Sequence, residues 1–263
     1  MSKTLLKQFF IEIYDTLKKT EKAANEIWCE ASEIDFLKRF NDYELRDFLR
    51  FFESFSIQKG KYLDYIVINK ILFVMESVRI LQSDIKEVSA LLDYKGFESL
   101  IKEILIKNNY KTTTNFRFTD KSNFKLKTLQ KRYEIDVIGI YLNYGLVIDA
   151  KQWKHKDTYA SLNRAANLQF QRVLALKKNQ SAFTRLIHVV LGMNPDFKKK
   201  LPLILIPIMV TIEDNFIKIN DNQIPLVSIY ELNSFLQEIP NNLDYFKKVM
   251  INKVSIQKQL LKK

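Results

Sequence analysis

Apolar residues recur at helical spacing through the first third of the chain. Leu5, Leu6, Phe9, Ile13 and Leu17 fall on one stripe, and Leu45, Phe48, Leu49 and Phe52 on another. From Tyr62 to Leu81 the residues Ile66, Ile68, Ile71, Leu72, Met75, Val78 and Ile80 meet few breakers, and Ser32, Asp42 and Gly60 serve as boundary or cap positions. The pattern predicts an all-helical N-terminal domain over residues 1–88. Its aromatic stripe predicts core or partner interface rather than a ligand site, because neither a metal cluster nor a phosphate loop accompanies it.

The texture changes across Ser89–Gly96. A helix follows over Phe97–Asn108, with Phe97, Leu100, Ile101, Ile104 and Leu105 on one face. Strand-like stretches come next: KTTTNFRF from Lys111, RYEIDVIGIY from Arg132 and YGLVIDAK from Tyr144. The last two flank the short turn Leu142-Asn143-Tyr144-Gly145, which predicts a hairpin. A helix over Tyr159–Lys178 ends before Asn179-Gln180-Ser181, Leu203–Val210 reads as a buried strand, and Phe216–Ile219 and Leu226–Ile229 as short ones before a helix at Tyr230–Glu238. Helix, three strands, helix and strand predict a mixed α/β domain with a covered sheet over residues 89–263.

Composition narrows the setting. The chain has 263 residues, 47% hydrophobic and 27% charged, with one cysteine, Cys29. One cysteine excludes an internal disulfide, a Cys-based zinc site and an iron–sulfur cluster, and Cys29 is expected as a small buried hydrophobe. The N-terminus carries charges every few residues, unlike a signal peptide, and the ten-residue apolar run Leu201–Val210 is too short to span a bilayer. A soluble cytoplasmic protein without a membrane partner is expected. Lys plus Arg outnumber Asp plus Glu 42 to 30, and a net charge of +12 favours a polyanionic partner.

Candidate chemistry lies on the hairpin. Alternation puts Asp149 and Lys151 on one face of the second strand with Ala150 opposite, and Glu134 and Asp136 on one face of the first. Ile135, Val137, Ile138 and Ile140, then Leu146, Val147 and Ile148, surround these acids. Burying a carboxylate there costs several kcal/mol unless a cation or donor compensates. Two converging carboxylates with no His or Cys nearby suggest a hard divalent ion, Mg²⁺ or Mn²⁺, over zinc. Their mutual repulsion predicts that removing either acid leaves the fold intact and stabilises the metal-free protein.

Glu98 on a helix, Asp136 on a strand and Asp149-Ala150-Lys151 on its neighbour resemble the PD-(D/E)XK nuclease superfamily. FESLIKEILIKNNY, YEIDVIGIY and GLVIDAKQWK are most similar to Mrr-like restriction endonucleases and archaeal Holliday-junction resolvases, over about residues 90–240. Ile135 stands where the superfamily's name has Pro. The resemblance implies a restriction-endonuclease-like αβββαβ core and metal-dependent DNA cleavage. It implies Asp136, Asp149 and the Ala150 carbonyl as metal ligands, Lys151 as the group that orients water and stabilises transition-state charge, and Glu98 as a helper, direct or through water. Gln169 lies in the apolar stripe Leu162, Ala165, Ala166, Val173 and Leu176. It fits either the helical Gln that several branches aim at the metal or a core amide bonded to backbone.

The remaining signals concern binding. Lys111, Arg117, Lys121, Lys125, Lys127, Lys131 and Arg132 outweigh Asp120, concentrating +6 in 22 residues, with Phe116, Phe118 and Phe124 interleaved. This segment is expected to clamp DNA. Trp153 and His155 follow the catalytic strand, read as packing and as a solvated turn, and His188 reads as a core histidine. A double-strand cut takes two sites, so a homodimer built on the aromatic N-terminal helices is expected. The alternative is a nucleic-acid-binding or scaffold protein that keeps the fold without cutting.

Overall fold

In the first hundred residues the apolar pattern folds partly as helix and partly as sheet. The structure is a computed structural model that describes residues 3–61, 63–119, 132–152, 159–192, 201–214 and 217–252. It comprises two units, Met1–Leu100 and Ile101–Lys263.

In the first unit, α1 (Lys3–Lys18) buries Phe9, Phe10, Ile13 and Leu17. Strands β1 (Glu26–Glu30), β2 (Phe55–Lys59) and β3 (Asp64–Asn69) form an antiparallel sheet in the order β1-β3-β2. The helices α2 (Asp42–Leu49), α3 (Lys70–Leu81) and α4 (Ile85–Val88) complete it. The expected all-helical domain is therefore corrected to a mixed one, and Tyr62–Leu81 is a strand followed by a helix. The reason is local. Ile66 and Ile68, two apart, both face the core, where they oppose Ile57 and Phe55 on β2. Three successive β-branched residues, Ile66-Val67-Ile68, crowd a helix but pack well on a pleated sheet. Asn69 then switches the chain to helix by accepting the Leu72 N–H at 3.0 Å. The buried Glu76 ties α3 to the turn before β2, accepting from the Glu53 N–H at 2.7 Å, the Ser54 N–H at 3.2 Å and the Ser54 hydroxyl.

The helix α5 (Tyr94–Lys107) begins three residues earlier than its stripe suggests. The second unit is built on six strands, β4 (Lys111–Thr119), β5 (Arg132–Tyr141), β6 (Tyr144–Lys151), β7 (Leu203–Thr211), β8 (Leu226–Ser228) and β9 (Val249–Ile251). Their order is β4-β5-β6-β7-β8, and β9 pairs with β7. Strands β4, β5 and β6 are antiparallel neighbours, whereas β7 runs parallel to both β6 and β8. The sheet is mixed. The β5–β6 turn is tighter than expected, with only Leu142 and Asn143 between the paired Tyr141 and Tyr144 and Leu142 at a φ of 50°.

Helices α6 (Tyr159–Lys178), α7 (Gln180–Leu191) and α8 (Leu232–Asn242) are the other α-helices of this unit among the described residues. One apolar cluster joins Val173 and Leu176 of α6, Phe183 and Leu186 of α7, and Ile138, Ile140, Val147 and Leu205 of the sheet. The Asn179 break opens α7 rather than a loop, because its Oδ1 caps the Ala182 N–H at 3.0 Å. Of the strand expected over Phe216–Ile219, residue 216 lies outside the described residues, and the described part forms only an isolated bridge, Ile219 with Pro225.

Pro207 sits inside β7 without breaking it. Ile204 and Ile212 donate their N–H groups to Asn143 and Lys151 on the β6 side, whereas Met209 donates to Pro225 on the other. Odd-numbered positions of β7 therefore face away from β6. On that side β9 pairs with Leu203–Leu205 and β8 with Met209–Thr211, so Pro207 falls between them, where no ladder donor is required.

Candidate functional site

The sheet forks at Asp136. The β5–β6 ladder runs from Tyr141↔Tyr144 to Val137↔Ile148 and ends there. Beyond it β5 stays paired with β4 through Thr119↔Arg132, while β6 stays paired with β7 through Lys151↔Thr211. Continuing the register sets Asp136 across from Asp149, one on each prong. The Asp136 carboxylate enters the fork and accepts the Ala150 N–H at 2.8 Å, replacing a β5 carbonyl as partner of that amide. A strand residue presents its N–H and C=O to the same edge, so the Ala150 carbonyl also faces the fork. Strand β4 bends at the same level. Asn115, opposite Asp136, has a φ of 54° and leaves its rung out of the β4–β5 ladder.

Helix α6 supplies the rest. Asp149, only 2% exposed, accepts through Oδ1 from Lys151 Nζ at 3.1 Å and from an Arg172 guanidinium nitrogen at 2.7 Å. That Arg172 nitrogen also donates to Gln169 Oε1 at 2.9 Å. Gln169 is fully buried and donates through Nε2 to the Val147 carbonyl of β6 at 2.9 Å. Its amide thus bonds backbone through Nε2, and its Oε1 orients the arginine that binds Asp149. Arg172 was not singled out from sequence. Its one sequence signal is its position, three residues after Gln169 on the same helix face.

Two acids, a lysine and an arginine leave the fork formally neutral. Its oxygen donors, two carboxylates and a backbone carbonyl, suit a hard divalent cation in kind. Among the described residues no group of three or more His, Cys, Asp or Glu side chains is placed to hold a metal. A cation here would complete its shell with water or substrate oxygens and would compete with Lys151 and Arg172 for Asp149.

The other expected residues are distributed as follows. Glu98 is buried on α5. Glu134 pairs with Arg117 at 2.8 Å, which raises the Arg117 pKa above its ordinary value. Lys111 and Arg132 are exposed on β4 and β5. Lys121, Lys125, Lys127 and Lys131, as well as Trp153 and His155, lie outside the described residues. His188 is half-buried on α7, and Cys29 is buried as expected. Among the described residues no helix is long and apolar enough to cross a membrane.

The chain matches no protein-family model and no curated protein. Among solved structures it is similar to the crystal structure of protein VC1899 from Vibrio cholerae, with 12% identity and a TM-score of 0.33. The similarity covers 92% of this chain and 53% of that one, so the chain spans about half the length of its structural neighbour.

Proposed function

We propose that the chain hydrolyses phosphodiester bonds in DNA at the β5–β6 fork, with Mg²⁺ or Mn²⁺ as cofactor. The observation that carries this reading is the fork itself, with Asp136 and Asp149 on its two prongs and Lys151 two residues beyond Asp149 on the same face. Mg²⁺ is commonly held by one or two carboxylates together with phosphate oxygens, so a two-carboxylate site suits a phosphodiester substrate. The element order α5-β4-β5-β6-α6 supports the resemblance to restriction-endonuclease-like cores.

In this reading Asp136, Asp149 and the Ala150 carbonyl hold the ion. When bound, it polarises a phosphate oxygen and makes the attacking water more acidic. Lys151 Nζ is held beside Asp149 with 22% of its side chain exposed, so it can reach a phosphate without leaving its partner. There it orients the water and stabilises negative charge building on the phosphate, a role for which one donor is typically worth about 10²–10³ in rate. Gln169 and Arg172 hold the Asp149 carboxylate in place. The surplus of basic residues supplies affinity for the DNA backbone, and the N-terminal unit serves recognition or pairing of two copies.

The test is incubation with labelled duplex, junction and single-stranded DNA in Mg²⁺, Mn²⁺ or EDTA, alongside Lys151→Ala and Asp149→Asn. Metal-dependent cleavage lost in both variants supports the reading, and equal cleavage by Lys151→Ala in single turnover refutes it. A second reading, binding without cleavage, is favoured by the two cations already on Asp149. It predicts DNA binding with no cleavage in either metal.

A further inference from the structure

The second unit also has a basic cavity, distinct from the fork. A cavity of about 520 Å³ opens between the β4–β5 pair and the start of α7. Three guanidinium groups line it, from Arg117, Arg132 and Arg185, against a single acid, Glu134. Two of the three are already oriented. Arg117 pairs with Glu134 at 2.8 Å, and Arg185 donates to the Arg117 carbonyl at 2.5 Å while lying 5.2 Å from the centre of the Phe116 ring. Arg132 is exposed and makes no ion pair among the described residues. The cavity thus carries a surplus of about two positive charges, fixed on two strands and a helix.

The helix adds to it. Asn179 and Ser181, at the first turn of the twelve-residue α7, also line the cavity. Asn179 donates to the Thr119 carbonyl at 2.8 Å, which ties the positive end of the helix dipole to the end of β4. Planar guanidinium forks match the oxygens of a phosphate, and the phosphodiester backbone is the phosphate source that a +12 chain meets most strongly.

We propose that this cavity is a backbone-phosphate subsite, in which Arg132 and Arg185 grip a nucleic-acid strand that runs on to the fork. The subsite rests on the functional reading for its partner but not for its chemistry. It uses none of Asp136, Asp149 or Lys151.

The experiment measures binding of labelled duplex and single-stranded DNA across a salt series in EDTA, so that cleavage does not enter. The variants are Arg132→Ala, Arg132→Ala with Arg185→Ala, and Ser181→Asp. The double variant should bind weaker and flatten the log K against log salt slope by about 1.8 on duplex, two phosphates at about 0.9 each. Ser181→Asp is the control for folding, because an acid in the first turn of α7 favours the helix but repels phosphate. It should weaken DNA binding several-fold with its melting temperature unchanged or raised. Unchanged affinity and slope in the double variant would overturn the subsite. So would saturation of the cavity by inorganic phosphate without effect on DNA, which would make it a free-anion site. Cleavage by the wild type in Mg²⁺ is scored separately: slope loss without any cleavage sinks the nuclease reading and leaves the subsite standing.

Discussion

Replacing Asp149 with Asn should destabilise the metal-free protein, the reverse of what repulsion between two carboxylates predicts. Asp149 is not facing Asp136 unaided: Lys151 and Arg172 both hold its Oδ1, at 3.1 and 2.7 Å. An amide oxygen keeps an acceptor there but no charge. The Lys151 and Arg172 donors stay charged, so each bond survives in weaker form; from bonds worth about 1.5–3 kcal/mol each, the pair loses roughly 2 kcal/mol together. Relief of the desolvated carboxylate offsets part of this. The lysine and arginine side chains are 22% and 26% exposed and recover some water. A net loss of about 1–2 kcal/mol is expected, or roughly 2–8 °C in the melting of a unit of this size. Urea unfolding in EDTA, with Asp136→Asn in parallel, reads it. Asn at 136 still offers an oxygen to the Ala150 N–H, so that variant should lose less. An Asp149→Asn protein more stable than wild type would refute the reasoning and restore repulsion as the dominant effect.

Other consequences are simpler to read. Glu76→Ala removes the acceptor shared by the Glu53 and Ser54 N–H groups and the Ser54 hydroxyl, and should cost about 3 kcal/mol or more in urea unfolding; Glu76→Gln should cost less. Burial, with a smaller contribution from Glu33, pushes the Cys29 thiol from 9.0 up to about 11. The folded state thus holds its proton longer than the unfolded one, so stability is intact below pH 9 and falls by roughly 2–3 kcal/mol at most as pH rises through 11. Cys29→Ala should lack that increment, seen as the difference between the two unfolding curves across this window. Neutralising Lys121, Lys125, Lys127 and Lys131 together should weaken binding to every DNA sequence alike and flatten the salt slope by roughly 0.9 for each phosphate no longer neutralised; an unchanged slope would mean that these lysines only solvate the chain.

The hairpin was legible because its information is local. Alternation, the Asn143 turn and unbroken apolar runs are all contained in Arg132–Lys151, and together they put Asp149 and Lys151 on one face. The N-terminal sheet was not. Ile66, Ile68, Ile71 and Leu72 satisfy a period of two at one end and of three to four at the other, and only pairing of β3 with β1 and β2, up to about forty residues away, decides between them. Asn179 shows the same ambiguity at a single residue: a polar break that ends α6 is also the cap that starts α7.

Arg172 marks a deeper limit, and it yields a last prediction. A buried acid pair demands a compensating cation, and within sequence reach only Lys151 was on offer, which is why a metal was inferred. Arg172 lies 23 positions from Asp149, and nothing local says that α6 crosses β6 with that residue aimed at the fork. One electrostatic demand thus admits two solutions, the observed guanidinium or a divalent ion, and Mg²⁺ titration separates them. If the ion is bound, Mg²⁺ raises the stability of the wild type, by about 1.4 kcal/mol at ten times its dissociation constant. Arg172→Met should then bind Mg²⁺ more tightly, since a competitor for Asp149 Oδ1 is gone, and show a larger gain from a lower starting stability. If the arginine alone answers the demand, Mg²⁺ leaves the wild-type melting temperature where it is in EDTA. Mg²⁺-independent melting in both proteins would remove the metal from the fork and with it the hydrolytic reading.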